Sequence, residues 1–175
     1  MKKIAALLML VCIAMLPLTS LADTSVTWEE VGQPAVEKFE LTGDFVALND
    51  LGLAIWIPSD FVYTEPSAED AQAGRYALFI DKDQECALTI DTVAVEGLTL
   101  DQALENAKNN GMFEPEIANI NGLDAVTYKN ESINAGTVVL VDANSNAIIF
   151  SFTPVNTEVA EIAFGVISSS IMPLQ

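Results

Sequence analysis

Histidine is absent from all 175 residues. Without it there is no Ser-His-Asp or Cys-His relay to activate a nucleophile, and the usual zinc sites lose their nitrogen ligand. Cysteine is nearly absent as well, with two residues. Cys12 lies in an N-terminal apolar run, so Cys86 is left alone once that run is removed, with no internal disulfide or thiolate cluster to join. In "ECALTI" it alternates with Leu88 and Ile90, which marks it as a small core hydrophobe. The phosphate-cradling patterns GxxxxGK[ST] and GxGxxG are missing, and so is the GxSxG elbow. Lys38, Lys82, Lys108 and Lys129 are the lysines beyond the N-terminus, and none stands in an SxxK context for Ser-Lys chemistry.

Positive charge is scarce. Seven Lys and Arg face 25 Asp and Glu, for a formal net charge of −18. Such a surface repels phosphate backbones and anionic lipid heads, so nucleic acid is excluded as a partner. Aromatic residues are few, at 7%. A sugar-stacking platform needs exposed tryptophan. Trp56, inside the apolar run "LAIWI", reads as core, and Trp28 reads as packing over a sheet edge.

The N-terminus carries what the rest lacks, a long apolar run. Lys2 and Lys3 precede Ile4–Leu16, and Ser20-Leu21-Ala22 places small residues where a signal peptidase reads. The expectation is a signal peptide over 1–22, cleaved after Ala22, and a secreted or extracytoplasmic protein. The run is shorter than the roughly 20 residues of a permanent membrane anchor. A lipoprotein signal fits poorly, because Val11 occupies the position before Cys12 where a small residue is expected. Loss of Lys2 and Lys3 makes the mature chain more acidic still.

Residues 23–44 read as an edge strand or a short helix: "SVTW" can pair, and "WEEV" can make one turn stopped by Gly32 and Pro34. Residues 45–175 read as one α+β domain. "FVAL" and "LAIWI" are strands joined by the turn Asn49–Gly52, and the second is apolar on both faces, as a doubly covered strand requires. Pro58 ends it. "SAEDAQAG" is a short helix closed by Gly74. "RYALFI" and "CALTIDTVAV" form a hairpin, with a parity change near Asp91 that predicts a bulge. "TLDQALENAKNNG" has a Thr99–Gln102 capping box, an apolar stripe of Leu100, Ala103, Leu104 and Ala107, and Gly111 at its end. Asn121-Gly122 fits a type I′ turn, which sets Ile120 opposite Leu123 and Ala118 opposite Ala125. "TVVLV" and "AIIFSFT" follow, with Ile148, Phe150 and Phe152 on the core side. A last helix over 157–171 is apolar round most of its circumference.

The stretches "GLAIWIPSDF", "TLDQALENAKNN", "INGLDAVTY" and "IIFSFTPVNTEVAEIAFGVISSSI", taken in order, resemble the PsbP-like (Mog-like) fold over about residues 45–172. The resemblance implies an antiparallel sheet of six or seven strands with helices packed on both faces, three layers in all. The fold serves a photosystem extrinsic subunit, a small-GTPase-binding protein and exported bacterial proteins without known activity. No functional residue of theirs has a motif here onto which it can be carried.

Asp81, Asp83 and Glu85 alternate in "DKDQE" and are the candidate calcium ligands, although Lys82 and Gln84 break the EF-hand pattern and no glycine makes its sharp turn. No other cofactor is expected. The expected function is an exported acidic module that binds an extracytoplasmic protein or a glycan and catalyses nothing. Two alternatives stay open. One is a glycan-acting enzyme such as a glycoside hydrolase, which needs only two carboxylates. The other is a structural component of the cell envelope.

Overall fold

The computed structural model describes residues 24–174. The expected signal peptide therefore lies outside the described residues. The chain forms β1 (Thr24–Val26), a π-helical turn (Trp28–Gly32) continuing into α1 (Gln33–Lys38), β2 (Gly43–Leu48), β3 (Leu53–Pro58), β4 (Phe61–Thr64), α2 (Ala68–Gln72), β5 (Arg75–Asp81) and β6 (Ala87–Ala94). Then come α3 (Leu100–Asn109), β7 (Phe113–Ile120), β8 (Leu123–Asn130), β9 (Ala135–Val141), β10 (Asn146–Thr153), α4 (Glu158–Ser169) and β11 (Met172–Pro173).

The single sheet of six or seven strands expected from the sequence is instead two sheets. The larger has eight strands in the order β1-β7-β8-β9-β10-β6-β5-β4, and the smaller has three in the order β11-β3-β2. The larger is mixed rather than antiparallel, because β1 runs parallel to β7. The difference centres on "LAIWI". β3 is the middle strand of the small sheet, and both of its faces are apolar because each is covered. Leu53, Ile55 and Ile57 face the large sheet and α4. On the other side Trp56, only 4% exposed, lies against Trp28 with ring centroids 5.9 Å apart.

The faces of the large sheet bury two separate clusters. One joins Val126, Val139 and Ala147 to Ala107 of α3, with Leu100, Ala103 and Leu104 packed alongside. The other joins Leu88, Ile90, Val138, Phe150 and Phe152 to β3 and to Ala160 and Ile167 of α4. A fully buried Leu, Ile or Phe contributes about 1.5–3 kcal/mol. The second cluster holds 18 buried residues against five in the first, so it dominates the stability of the fold. One face is thus covered by a helix and the other by a small sheet together with a helix, where helices alone were expected.

The N-terminal segment forms both structures that its sequence allowed, strand then helix. The helix does not stop at Gly32 and Pro34. Proline is tolerated in a first turn, where its missing N–H has no partner to lose, and Gly32 is buried under the Trp28 ring, which leaves no room for a Cβ. The bulge predicted near Asp91 lies on the partner strand. Arg75 pairs with Asp91 and Ala77 with Ile90, so Tyr76 is the extra residue. α3 has its capping box as expected, with Gly111 left-handed beyond it. α4 is capped by Thr157 and is less enclosed than its composition suggests, since Val159 is 76% exposed.

Asn121 (φ 49°) and Gly122 (φ 85°) form the expected two-residue turn, with Ile120 opposite Leu123 and Ala118 opposite Ala125. The Asn121 side chain does more than tolerate the turn. Its Nδ2 donates to the carbonyls of Ser169 (2.7 Å) and Ile171 (2.8 Å), and its Oδ1 accepts from Trp28 N–H (2.7 Å). A Cβ added at Gly122 would meet nothing within 4 Å. Gly122→Val therefore isolates the backbone term, and we expect it to cost about 1–2 kcal/mol in urea unfolding, the penalty of a left-handed β-branched residue. An unchanged midpoint would contradict the turn.

Candidate functional site

The small sheet covers only part of the large one, and the margin between them stays open. Two clefts lie along this seam on either side of the β2–β3 turn, and Asp50 of that turn lines both. Asn49–Leu51 makes one 3₁₀ turn, closed by Gly52 at φ 64°, which holds Asp50 exposed between the two sheets.

The first cleft, about 400 Å³, is the more polar of the two. Asp50 and Leu51 face Thr92 and Ala94 of β6, with Asp142, Asn144 and Asn146 from the β9–β10 turn. The Asp142 carboxylate accepts from the backbone N–H of Asn144 and of Asn146, each at 2.8 Å, and from Asn146 Nδ2 at 2.9 Å. The Asn146 side chain leads in holding this carboxyl below its ordinary range, and the backbone bonds add to it. Asp142 is thus ionised at neutral pH, unsuited to donate a proton, and its acceptor sites serve the turn.

The second cleft, about 440 Å³, is largely apolar. Val46, Ala47 and Leu48 of β2 face Tyr63 of β4 and Tyr76, Ala77 and Phe79 of β5. Tyr63 meets Phe79 edge-on at 5.7 Å and is still 54% exposed. Phe45 and Val62, 44% and 51% exposed, alternate with the lining residues Val46 and Tyr63 and stand on the far faces of their sheets, Phe45 beside Trp28. β2 is also an edge strand. Ser59 N–H donates to the Thr42 carbonyl at 2.8 Å, and the register pairs Asp44 with Ile57 and Val46 with Ile55. Backbone pairing alternates along an antiparallel strand. Asp44, Val46 and Leu48 therefore turn their backbone groups to β3, while Gly43, Phe45 and Ala47 turn theirs to the open edge. The Trp56 N–H keeps the same phase, pointing away from β2 to Ser170 Oγ at 2.9 Å.

Asp81, Asp83 and Glu85 are not brought together as cation ligands. Asp81 Oδ1 accepts from Cys86 N–H at 2.8 Å and so closes its own turn, while Asp83 and Glu85 stand exposed. Among the described residues no group of three or more Asp, Glu, Cys or His converges in a way that could hold a metal. Cys86 is half-buried against the larger cluster, just before β6. Burial first, then the charges of Asp81, Glu85 and Asp60, push its thiol upward, which keeps it protonated. Glu116 is a carboxyl raised by partial burial and by Glu114, but it lies on β7 and lines neither cleft. The tryptophans form no open stacking surface, since Trp28 lies on Trp56 and meets Phe45 edge-on at 5.2 Å.

None of the seam residues stood out in the sequence. Tyr63 and Phe79 sit in ordinary strand patterns, and Asp50 is one acid of 25. Their meeting depends on β3 leaving the large sheet.

No protein-family model matches the chain, and no curated protein matches it. Among solved structures it is similar to that of CyanoP, the cyanobacterial PsbP of Synechocystis sp. PCC 6803, at 12% identity and a TM-score of 0.53. That match covers 76% of this chain and 93% of CyanoP. The Ran-binding protein Mog1p of Saccharomyces cerevisiae is similar at 11% identity and a TM-score of 0.44, covering 77% of this chain and 97% of Mog1p. The chain is an α+β protein of PsbP-like fold. At such identities the likeness concerns the fold alone.

The role assigned to Asp142 has a pH signature. Its folded pKa lies below its ordinary value of 3.8, so its contribution is complete above that value and is lost as pH falls through the folded one. Asp142→Ala is expected to lower the Tm near neutral pH, and the gap to the unsubstituted protein is expected to narrow as the pH falls below 3.8. A gap that stays constant or widens in acid would show that the carboxylate does not hold the turn.

Proposed function

We propose that this protein is an exported, non-catalytic binding module whose ligand surface is the seam between its two sheets. The observation that carries the reading is the second cleft, where half-exposed Tyr63 and buried Phe79 face β2, whose outer edge is unpaired. An apolar cleft beside an unpaired strand edge is what a binding surface offers. Export rests on Lys2, Lys3 and the apolar run before Ala22. Among the described residues no helix is long and apolar enough to cross a membrane.

Two further observations weigh against the glycan-hydrolysing alternative. Of the two carboxylates of the polar cleft, Asp50 and Asp142, the second has its oxygens committed to its own turn, and Glu116, whose pKa is raised, lies outside both clefts. A glycosidase needs a protonated acid and a second carboxylate flanking one bond.

The test places a photo-crosslinking amino acid at Tyr63 and, separately, at Glu105 on α3, on the other face of the large sheet. In cells that export the protein, a discrete adduct is expected from position 63 and none from position 105. Equal adducts from both positions, or none from 63, would remove the seam as the binding surface. Turnover of polysaccharides or aryl-glycosides that a single Asp→Asn change abolishes would replace the reading with the enzymatic one.

A further inference from the structure

We infer that the seam takes its partner as an added β-strand: an extended, lysine- or arginine-flanked segment of another protein pairs with the open edge of β2. The inference rests on the seam being the binding surface and specifies how that surface works.

Among the described residues β2 is the longest free edge, with six residues, against four in β4, three in β1 and two in β11. Proteins usually blunt such edges by shortness, proline or inward charge. β2 contains no proline, and its lysine and arginine count is zero. Its one charged residue is Asp44, at the start of the strand. The backbone groups of Gly43, Phe45 and Ala47 point outward, three residues that offer three donors and three acceptors in strand geometry.

What lies beside the edge favours β2 over β4. A strand added to β2 would extend the small sheet over Tyr63 and Phe79, so the incoming side chains on that face would be buried between two layers. Alternate apolar residues fit this arrangement, because one face of an added strand turns inward and the other outward. A strand added to β4 would extend the large sheet away from the small one.

Charge decides the kind of partner. Asp44 and Asp50 stand exposed on β2 and on its turn, and Glu65 stands exposed just beyond β4. Of the cations nearby, Arg75 is paired with Asp91 and Lys82 donates from Nζ to the Ser59 carbonyl at 3.0 Å, so among the described residues the three acids stand without an ion-pair partner. The chain as a whole carries −18. Pairing of β2 with its counterpart in a second copy would set these acids against each other, whereas a cationic segment is attracted to them.

The test titrates the purified 23–175 protein with three short synthetic peptides and follows backbone amides by NMR. The first has alternating valine and threonine between two lysines, the second carries N-methyl groups on alternate amides, and the third has glutamates in place of the lysines. The first peptide is expected to shift the amides of Gly43–Leu48 and Tyr63 at millimolar concentration. The second and third should each bind about tenfold more weakly or worse, since they lack the donors or oppose the charge. In the protein, Ala47→Pro removes one outward N–H without touching the β2–β3 ladder, a change that edge strands tolerate. It should weaken the first peptide similarly while a melting curve shows the fold retained. No shift at β2, shifts centred on β4 or α3, or equal binding of the N-methylated peptide would overturn strand addition. Concentration-dependent pairing of two copies through β2 would assign the edge to self-association and overturn the heterologous partner. If crosslinking marks position 63 and the N-methylated peptide still binds equally, strand pairing fails while the seam stands. Absence of crosslinking at 63 removes the seam itself.

Discussion

The side chain of Asn121 holds the two ends of the chain to the middle of the fold. Three hydrogen bonds leave one amide group, to Trp28 N–H in the N-terminal helical turn and to the carbonyls of Ser169 and Ile171 at the end of α4. The backbone adds a fourth, from Asn121 N–H to the Val26 carbonyl at 2.9 Å. Helix ends leave carbonyls without intrahelical partners, and an unpaired polar group in a part-buried setting costs about 1–3 kcal/mol. One residue in a tight turn thus satisfies the close of α4, seats Trp28 and fixes β1 beside β7. Asparagine suits the position on both counts, because it tolerates φ above zero and carries both a donor and an acceptor.

The small sheet depends on the same knot. Trp28 packs on Trp56, and Trp56 N–H donates to Ser170, two residues before β11 begins. β3 is therefore covered from both sides by elements that Asn121 positions. With the small sheet fixed at its β11 end, β2 becomes the opposite, open margin. The seam exists because three strands cannot cover eight. An apolar cleft bordered by free backbone groups is the consequence, and so the proposed binding surface follows from how the chain ends are anchored.

Much of this was legible in the sequence, and the reasons differ by element. α3 was readable because capping box, stripe and terminal glycine all act within a dozen residues. The β7–β8 hairpin was readable because Asn-Gly specifies its own register. β10 was readable from Ile148, Phe150 and Phe152 in strict alternation. The partition into two sheets was not, because "LAIWI" reads the same whether helices or another sheet cover it. The parallel placement of β1 was hidden as well, since three residues hold no periodicity. The turn at Asn121 was expected, but not its long-range bonds, because a residue's distant partners leave no mark on its neighbours in sequence. Asp81, Asp83 and Glu85 looked like ligands from spacing alone. Spacing does not show that Asp81 turns back to the Cys86 amide. The seam stayed out of sight for the same reason as the sheets, since its walls come from β2, β4 and β5.

Native-state hydrogen exchange on Asn121→Gly tests the anchoring claim most directly, because glycine keeps the turn and removes only the side-chain bonds. The account predicts that amides of Trp28–Lys38 and of Trp56 lose protection by about tenfold or more, while those of α3 and of β8–β10 keep theirs. Protection unchanged at Trp28, or lost evenly across the large sheet, would show that the chain ends are held by something other than Asn121.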